Sequence, residues 1–163
     1  MNEIVYKPIG VIHSQYDNAN DMPIQPAAAQ GIKGTVEIYT DYAAGLKDIE
    51  GFSHIILIYH FHLSSGYQLK VKPFLDDSMR GVFATRAPKR PNQIGLSVVK
   101  LVKLENNIIH IENVDIVNNT PLLDIKPFVP DFDAATDVKI GWLTKSKHKL
   151  STMKSDSRFD FYF

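Results

Sequence analysis

Short apolar runs separated by turn residues dominate this chain, with few long amphipathic stretches. Residues 5–13 read as extended around Pro8, and residues 34–39 alternate apolar with polar side chains. Residues 53–61 are apolar on both faces, the pattern of a central strand. Further strands are predicted at 81–85, 97–104, 108–113 and 122–128, with Glu105-Asn106-Asn107 as a hairpin turn between two of them. One short helix is predicted over 42–49, with Thr40 or Asp41 as its cap. Many strands at close spacing and little helix predict a mainly β fold, a single-sheet closed or nearly closed β-barrel with short helices and a C-terminal extension.

The pattern changes near the end of the chain. Residues 140–143 are apolar enough to dock on the barrel, whereas 145–157 are polar and predicted to be mobile. Residues 158–163 alternate and are rich in aromatics, so they need a partner, either the barrel edge or a second subunit. The chain therefore divides into a barrel at 1–143 and a basic, aromatic-ended tail at 144–163.

Composition narrows the class without naming a function. With 163 residues, 44% hydrophobic and 22% charged, the chain is long enough for one domain with a real core. No apolar run reaches the roughly 18 residues that span a bilayer, and the start lacks the pattern of a signal peptide. The absence of cysteine excludes disulfides, thiolate zinc sites and cysteine nucleophiles, and fits a cytoplasmic protein. Net charge is zero, so no global field draws the chain to nucleic acid. Cations nevertheless cluster at Lys70, Lys72, Arg80, Arg86, Lys89 and Arg90, and again at Lys145, Lys147, Lys149, Lys154 and Arg158.

The densest candidate chemistry lies in Phe83-Ala-Thr-Arg-Ala-Pro-Lys-Arg-Pro-Asn-Gln-Ile-Gly-Leu-Ser97. Its two prolines stiffen a loop that carries Arg86, Lys89 and Arg90. It reads either as a rigid seat for a carboxylate or phosphate, or as a solvated turn with chance charges. Pro23-Ile-Gln-Pro26 and three alanines form a loop in which small residues allow close approach of a ligand, or simply a surface loop. His60 and His62 share a strand face, but no third metal ligand has suitable spacing, so no metal is expected. Asn118 and Asn119 suit a turn, and Thr120 can satisfy exposed backbone groups. Asp124 and Lys126 share one face of a strand, as a salt-bridged pair inside the barrel or as the polar floor of a site. Neither a Gly-x-Gly-x-x-Gly turn after a strand nor a nucleophile elbow is present.

The 83–97 stretch resembles the F-A-T-R-S-P-x-R-P-N-P-I-G-L-S signature of the TrmO family of tRNA methyltransferases. Support comes, in the family's order over roughly residues 4–143, from Ile9-Gly-Val-Ile, Gln25-Pro26, Leu46-Lys-Asp-Ile-Glu-Gly-Phe-Ser-His54, Phe61-His62 and Thr120-Pro-Leu-Leu-Asp-Ile-Lys-Pro-Phe128. The resemblance implies a barrel enzyme that uses S-adenosyl-L-methionine (SAM), acts as a homodimer, and methylates N6 of threonylcarbamoyladenosine beside the tRNA anticodon. By motif, the SAM site would draw on Gln25, Pro26, Ala27, Ala28, His62, Leu63, Arg86, Leu96, Asn118, Asn119, Thr120 and Pro121. Lys89, Arg90 and Asn92 would face the substrate, whose threonyl carboxylate suits Lys89, Arg90 or Lys126. Asp124 would accept or orient the N6 proton, with Lys126 beside it as a second catalytic residue.

The chain departs from the family pattern in several places. Asn118-Asn119 stands where Asp-Gly is common, Gln93 replaces a proline, and His13 and Gln15 replace an Arg and a Pro. Beside longer members the resemblance implies no extra C-terminal domain here, so that either the basic tail takes over that domain's RNA contacts or the substrate differs. Two other readings compete with the tRNA enzyme. One is a SAM-dependent methyltransferase of another RNA or a small metabolite; the other is a non-catalytic barrel that binds RNA.

Overall fold

The computed structural model describes residues 3–20, 22–149, 151–156 and 159. Its strands are β1 (Gly10–His13), β2 (Lys33–Ile38), β3 (His54–His60), β4 (Lys70–Val71), β5 (Arg80–Gly81), β6 (Ile94–Glu105), β7 (Ile108–Glu112) and β8 (Thr120–Pro127). All but β4 and β5 join in one antiparallel barrel, closed in the order β1-β2-β7-β6-β3-β8, while β4 and β5 pair with each other outside it. Closure leaves the main sheet no free edge.

Alternation along the strands builds the core. Ile12, Val36, Ile38, Ile55, Leu57, Tyr59, Val99, Leu101, Ile109, Ile111 and Leu122 point inward and are buried. On β3 the outward Ile56 and Ile58 remain half-buried, which accounts for its apolar sequence on both faces. Two bulges reset the alternation. Between β3 and β8 the register jumps from Ile58↔Asp124 to Tyr59↔Leu122, so Leu123 is the extra residue. Between β6 and β7 the extra residue is Val102, and the inward positions pass from Leu101 to Leu104.

The predicted helix at 42–49 forms 3₁₀ turns instead, at Thr40–Leu46 and Ile49–Gly51, with Tyr39 rather than Thr40 or Asp41 at the cap. Leu46, at the end of the first turn, and Ile49, at the start of the second, are the two side chains the segment applies to the barrel. Asp48 between the turns has φ 67°, a break no continuous α-helix accepts. The strand predicted at 81–85 is likewise only Arg80–Gly81, followed by a 3₁₀ turn at Val82–Ala84.

Strand polarity gathers the long loops at one mouth. His60 faces Ile94, Ile12 faces Thr120, and Lys33 faces Glu112. The segments 14–32, 61–93 and 113–119 therefore emerge together, and the 39–53 segment covers the opposite mouth.

Of residues 145–157, predicted to be mobile, the described ones are held against these loops. Ser155 is buried, donates its backbone N–H to Met22 O at 2.8 Å, receives Met22 N–H on Oγ at 3.0 Å, and donates its hydroxyl to Ala19 O. Lys154 forms an isolated bridge with Pro23. Phe159 is buried in a second small core with Val71, Val82 and Ala87, its ring edge-on to Phe74 at 5.0 Å. Of the aromatic terminus expected to seek a partner, Phe159 thus finds one within its own chain; residues 158 and 160–163 lie outside the described residues.

Candidate active site

The signature loop is fixed by its own backbone acceptors. Arg90 Nη1 donates to Thr85 O at 2.9 Å, Ala87 O at 3.2 Å and Val82 O at 3.4 Å. Thr85 Oγ1 donates to Val82 O and receives Ala87 N–H, tightening the same turn. The neighbouring 61–69 segment is laced to it: Phe61 N–H reaches Gln93 O, Gln93 Nε2 reaches Gly66 O, and Ser64 Oγ reaches Pro88 O. From outside, Trp142 Nε1 donates to Ala84 O at 2.8 Å while Arg80 lies over its ring and is gripped by Asp76.

Arg86 is presented differently. It is exposed, and among the described residues no hydrogen bond or ion pair engages its guanidinium. Its charge is felt by Tyr59 and Asp115 in the mouth below. A stiff loop therefore holds out an arginine fork suited to a carboxylate.

The other loops complete the rim. Pro26–Ala28 forms a 3₁₀ turn after Gln25, closed by Ala28 N–H to Gln25 O and Ala29 N–H to Pro26 O, and it packs against β6. The Asn118-Asn119 turn is tied at three points: Asn118 N–H to Tyr16 O, Asn118 Nδ2 to Asp17 Oδ1, and Ser14 N–H to Asn118 Oδ1. Asn119 has φ 60°, where asparagine substitutes for glycine with little strain, so the departure from Asp-Gly preserves the turn. Thr120 Oγ1 gives its one proton to Val117 O at 2.7 Å, so in its 3.3 Å contact with His62 the imidazole Nδ1–H is the donor. Partial burial, with the charge of His60 adding to it, holds the His62 pKa below its usual value.

Not every expected residue comes to this mouth. Leu63 and Leu96 stand at the rim with exposed side chains, as does Asn92. Pro121, the second residue of β8, pairs with Val11 of β1. Asp124 and Lys126 do share a strand face, but it is the outer one. The bulge at Leu123 sets them opposite the outward Ile58 and Ile56, where they form a half-exposed ion pair at 2.8 Å. Asp124 also borders a cavity of about 580 Å³ beside the 39–53 segment, which covers the other end of the barrel. This geometry does not support Asp124 as a proton acceptor at the loop cluster.

The structure instead reveals a polar group that the sequence reading passed over. Tyr59 and Ser97 are inward residues of adjacent strands, joined through their hydroxyls at 3.0 Å, and Ser97 Oγ donates to Asp115 Oδ1 at 2.7 Å. Burial raises the Asp115 pKa to about 6, partly offset by the Ser97 hydrogen bond and the Arg86 charge. Burial and then Asp115 raise the Tyr59 pKa, so the phenol stays protonated. A serine at an inward position of β6 and a tyrosine at an inward position of β3 were the available signal. Among the described residues no cluster of His, Cys, Asp and Glu is arranged to hold a metal ion.

The sequence matches the model of the tRNA-methyltransferase O N-terminal domain over residues 11–134. This chain belongs to the TrmO family. It is 56% identical over 156 residues to a probable S-adenosyl-L-methionine-binding protein of Pyrococcus abyssi, covering 96% of this chain and 85% of that protein. It is 31% identical over 169 residues to the human tRNA (adenine(37)-N6)-methyltransferase, covering 96% of this chain but 38% of the human protein. A crystal structure of TrmO from Pseudomonas aeruginosa superposes with a TM-score of 0.72 at 37% identity, covering 87% of this chain and 63% of that one. The Pseudomonas TrmO structure thus shares this chain's fold, and the human relative named as a tRNA methyltransferase is much longer than this chain.

The residues of this TrmO mouth fit SAM. Arg86 offers a partner for the methionine carboxylate, and the narrow Pro26-Ala27-Ala28 turn lets backbone approach closely. His62 and the 118–121 turn supply neutral polar groups.

Proposed function

We propose that this chain is a SAM-dependent methyltransferase acting on N6 of threonylcarbamoyladenosine beside the anticodon of tRNA. The observation that carries the reading is the Arg90-pinned signature loop, which presents an Arg86 that has no hydrogen bond or ion pair among the described residues and whose charge reaches Tyr59 and Asp115. When bound, SAM supplies an electrophilic methyl group. Arg86 holds the methionine carboxylate, and charge keeps its guanidinium from the sulfonium. Gln25, Pro26, Ala27, Ala28, His62, Leu63, Leu96 and the 118–121 turn form the rest of that site. Lys89 and Asn92 face the substrate and read its threonyl carboxylate, whereas Arg90 serves the loop itself. Positioning of the reactants supplies much of the rate.

The protein works in the cytoplasm as a homodimer. Support for a paired assembly comes from large apolar side chains left exposed on the signature loop and its neighbours, Phe83 at 75%, Tyr67 at 61% and Met79 at 60%. Among the described residues no helix is long and apolar enough to cross a membrane.

Calorimetry with SAM on wild type and Arg86→Ala tests the cofactor site. Micromolar binding that weakens by about 10–100-fold in the variant is expected, the loss of a charge-assisted contact. Transfer of labelled methyl to tRNA bearing threonylcarbamoyladenosine, and none to tRNA lacking it, is expected of the wild type. Binding without transfer to either would leave only a SAM-binding barrel.

A further inference from the structure

Asp115 has no part in the machinery assigned above, yet it ends a polarised chain of hydroxyls. Ser97 has a single proton, which goes to Asp115 Oδ1, so the phenol of Tyr59 must be the donor across its contact with Ser97. Both hydroxyls therefore point towards the carboxylate. Ser97 is fully buried and Tyr59 nearly so, whereas Asp115 is only half-buried and retains contact with the mouth. Arg86 is the charged group that acts on Asp115 from the signature loop, Ser97 bonds it from β6, and Tyr59 on β3 couples to it through Ser97. The carboxylate sits five residues before Thr120, on the loop whose 118–121 turn borders the same mouth.

Resting on the reading of this chain as a tRNA methyltransferase, we infer that Asp115 is the catalytic residue that takes the proton from the methylated nitrogen. That nitrogen gains a bond to carbon and must lose one to hydrogen. Its electron pair forms the new N–CH₃ bond, and the donor's sulfur keeps the pair of the broken S–CH₃ bond. The N–H proton passes to the Asp115 carboxylate, leaving its bonding electrons on nitrogen. A sulfonium and a carboxylate become a thioether and a carboxylic acid, so charge balances. Desolvation suits Asp115 to this work: with a pKa of about 6 it is ionised at neutral pH yet more basic than a solvated carboxylate. Ser97 and Arg86 keep that basicity from rising further.

Three measurements on wild type, Asp115→Asn and Ser97→Ala test the role: SAM binding by calorimetry, single-turnover transfer against pH, and carboxyl titration by ¹³C NMR of ligand-free, aspartate-labelled protein. The wild-type rate should show one acid limb centred near the NMR midpoint of Asp115, about 6. Ser97→Ala should move both midpoints upward, because it removes a bond that stabilises the ionised form. Asp115→Asn should bind SAM within about twofold of wild type, transfer about 10²–10⁴-fold more slowly, and lose the acid limb. Retention of rate by Asp115→Asn overturns the inference, as does loss of SAM binding in proportion to rate or titration of Asp115 in the ordinary range near 4. A wild type that binds SAM but methylates no tRNA overturns the functional reading itself, and this role with it.

Discussion

A carboxyl group held at a raised proton affinity costs the fold stability at neutral pH. Asp115 has its pKa raised from 3.8 to about 6, so the native state binds its proton more tightly than the unfolded chain does. Its contribution is therefore most favourable below about pH 4 and is lost as pH rises through about 6, on the order of 2–3 kcal/mol in all. Asp115→Asn removes that loss, since an amide oxygen can still accept from Ser97. Urea unfolding should show the variant more stable than wild type at pH 7.5, by about 1–3 kcal/mol, with the difference shrinking towards pH 4.5. Greater stability with loss of transfer would mark a residue kept for chemistry. Arg90 and Asn119 make the opposite case, since each supports a local conformation: one satisfies three carbonyls, the other accepts φ 60°. The sequence displayed all these residues, but not which arginine turns back on its loop. That choice depends on where the chain places its carbonyls, which two prolines restrict but do not determine.

Among the elements, the strands were the most legible part, because inward and outward positions alternate on a barrel with one dry face. Their bulges were not. Leu101 followed by Leu104, and Leu122 followed by Ile125, read as lapses in the pattern until the register shows Val102 and Leu123 as the extra residues. The second bulge turns Asp124 and Lys126 outward. Three anchors hold the C-terminal stretch: Trp142 on Ala84, within the segment expected to dock, and then Ser146 on Leu75 and Ser155 on Ala19 and Met22, which the polar sequence of the tail conceals. Trp142→Ala removes the first and the platform beneath Arg80. The loop at 82–92 should then exchange amide hydrogens faster and SAM should bind several-fold more weakly, while the melting temperature of the barrel changes little. Hydrogen exchange with calorimetry decides it; unchanged loop protection would show that Trp142 merely covers the loop.

At the scale of the molecule, zero net charge conceals a segregated surface. From Lys139 to Lys154 the chain carries five lysines and no acid, and Trp142 and Ser146 moor the start of this stretch against the 75–84 region. On the proposed function, the exposed Lys145, Lys147 and Lys149 are the cations this stretch offers to tRNA phosphates. Replacing all three with glutamine should weaken tRNA binding and reduce the slope of log affinity against log salt by about 2–3, with SAM affinity unaffected. Filter binding across a salt series measures this, and an unchanged slope would place the tRNA elsewhere. The seating of Phe159 beneath the signature loop, against Val82 and Ala87, has a further consequence for how the protein comes into being. Residue 159 leaves the ribosome 72 positions after Ala87, roughly 4–14 s later at common rates of synthesis. During that interval the barrel strands can already pair while the underside of the loop stays open, so the catalytic mouth is finished last and from the outside.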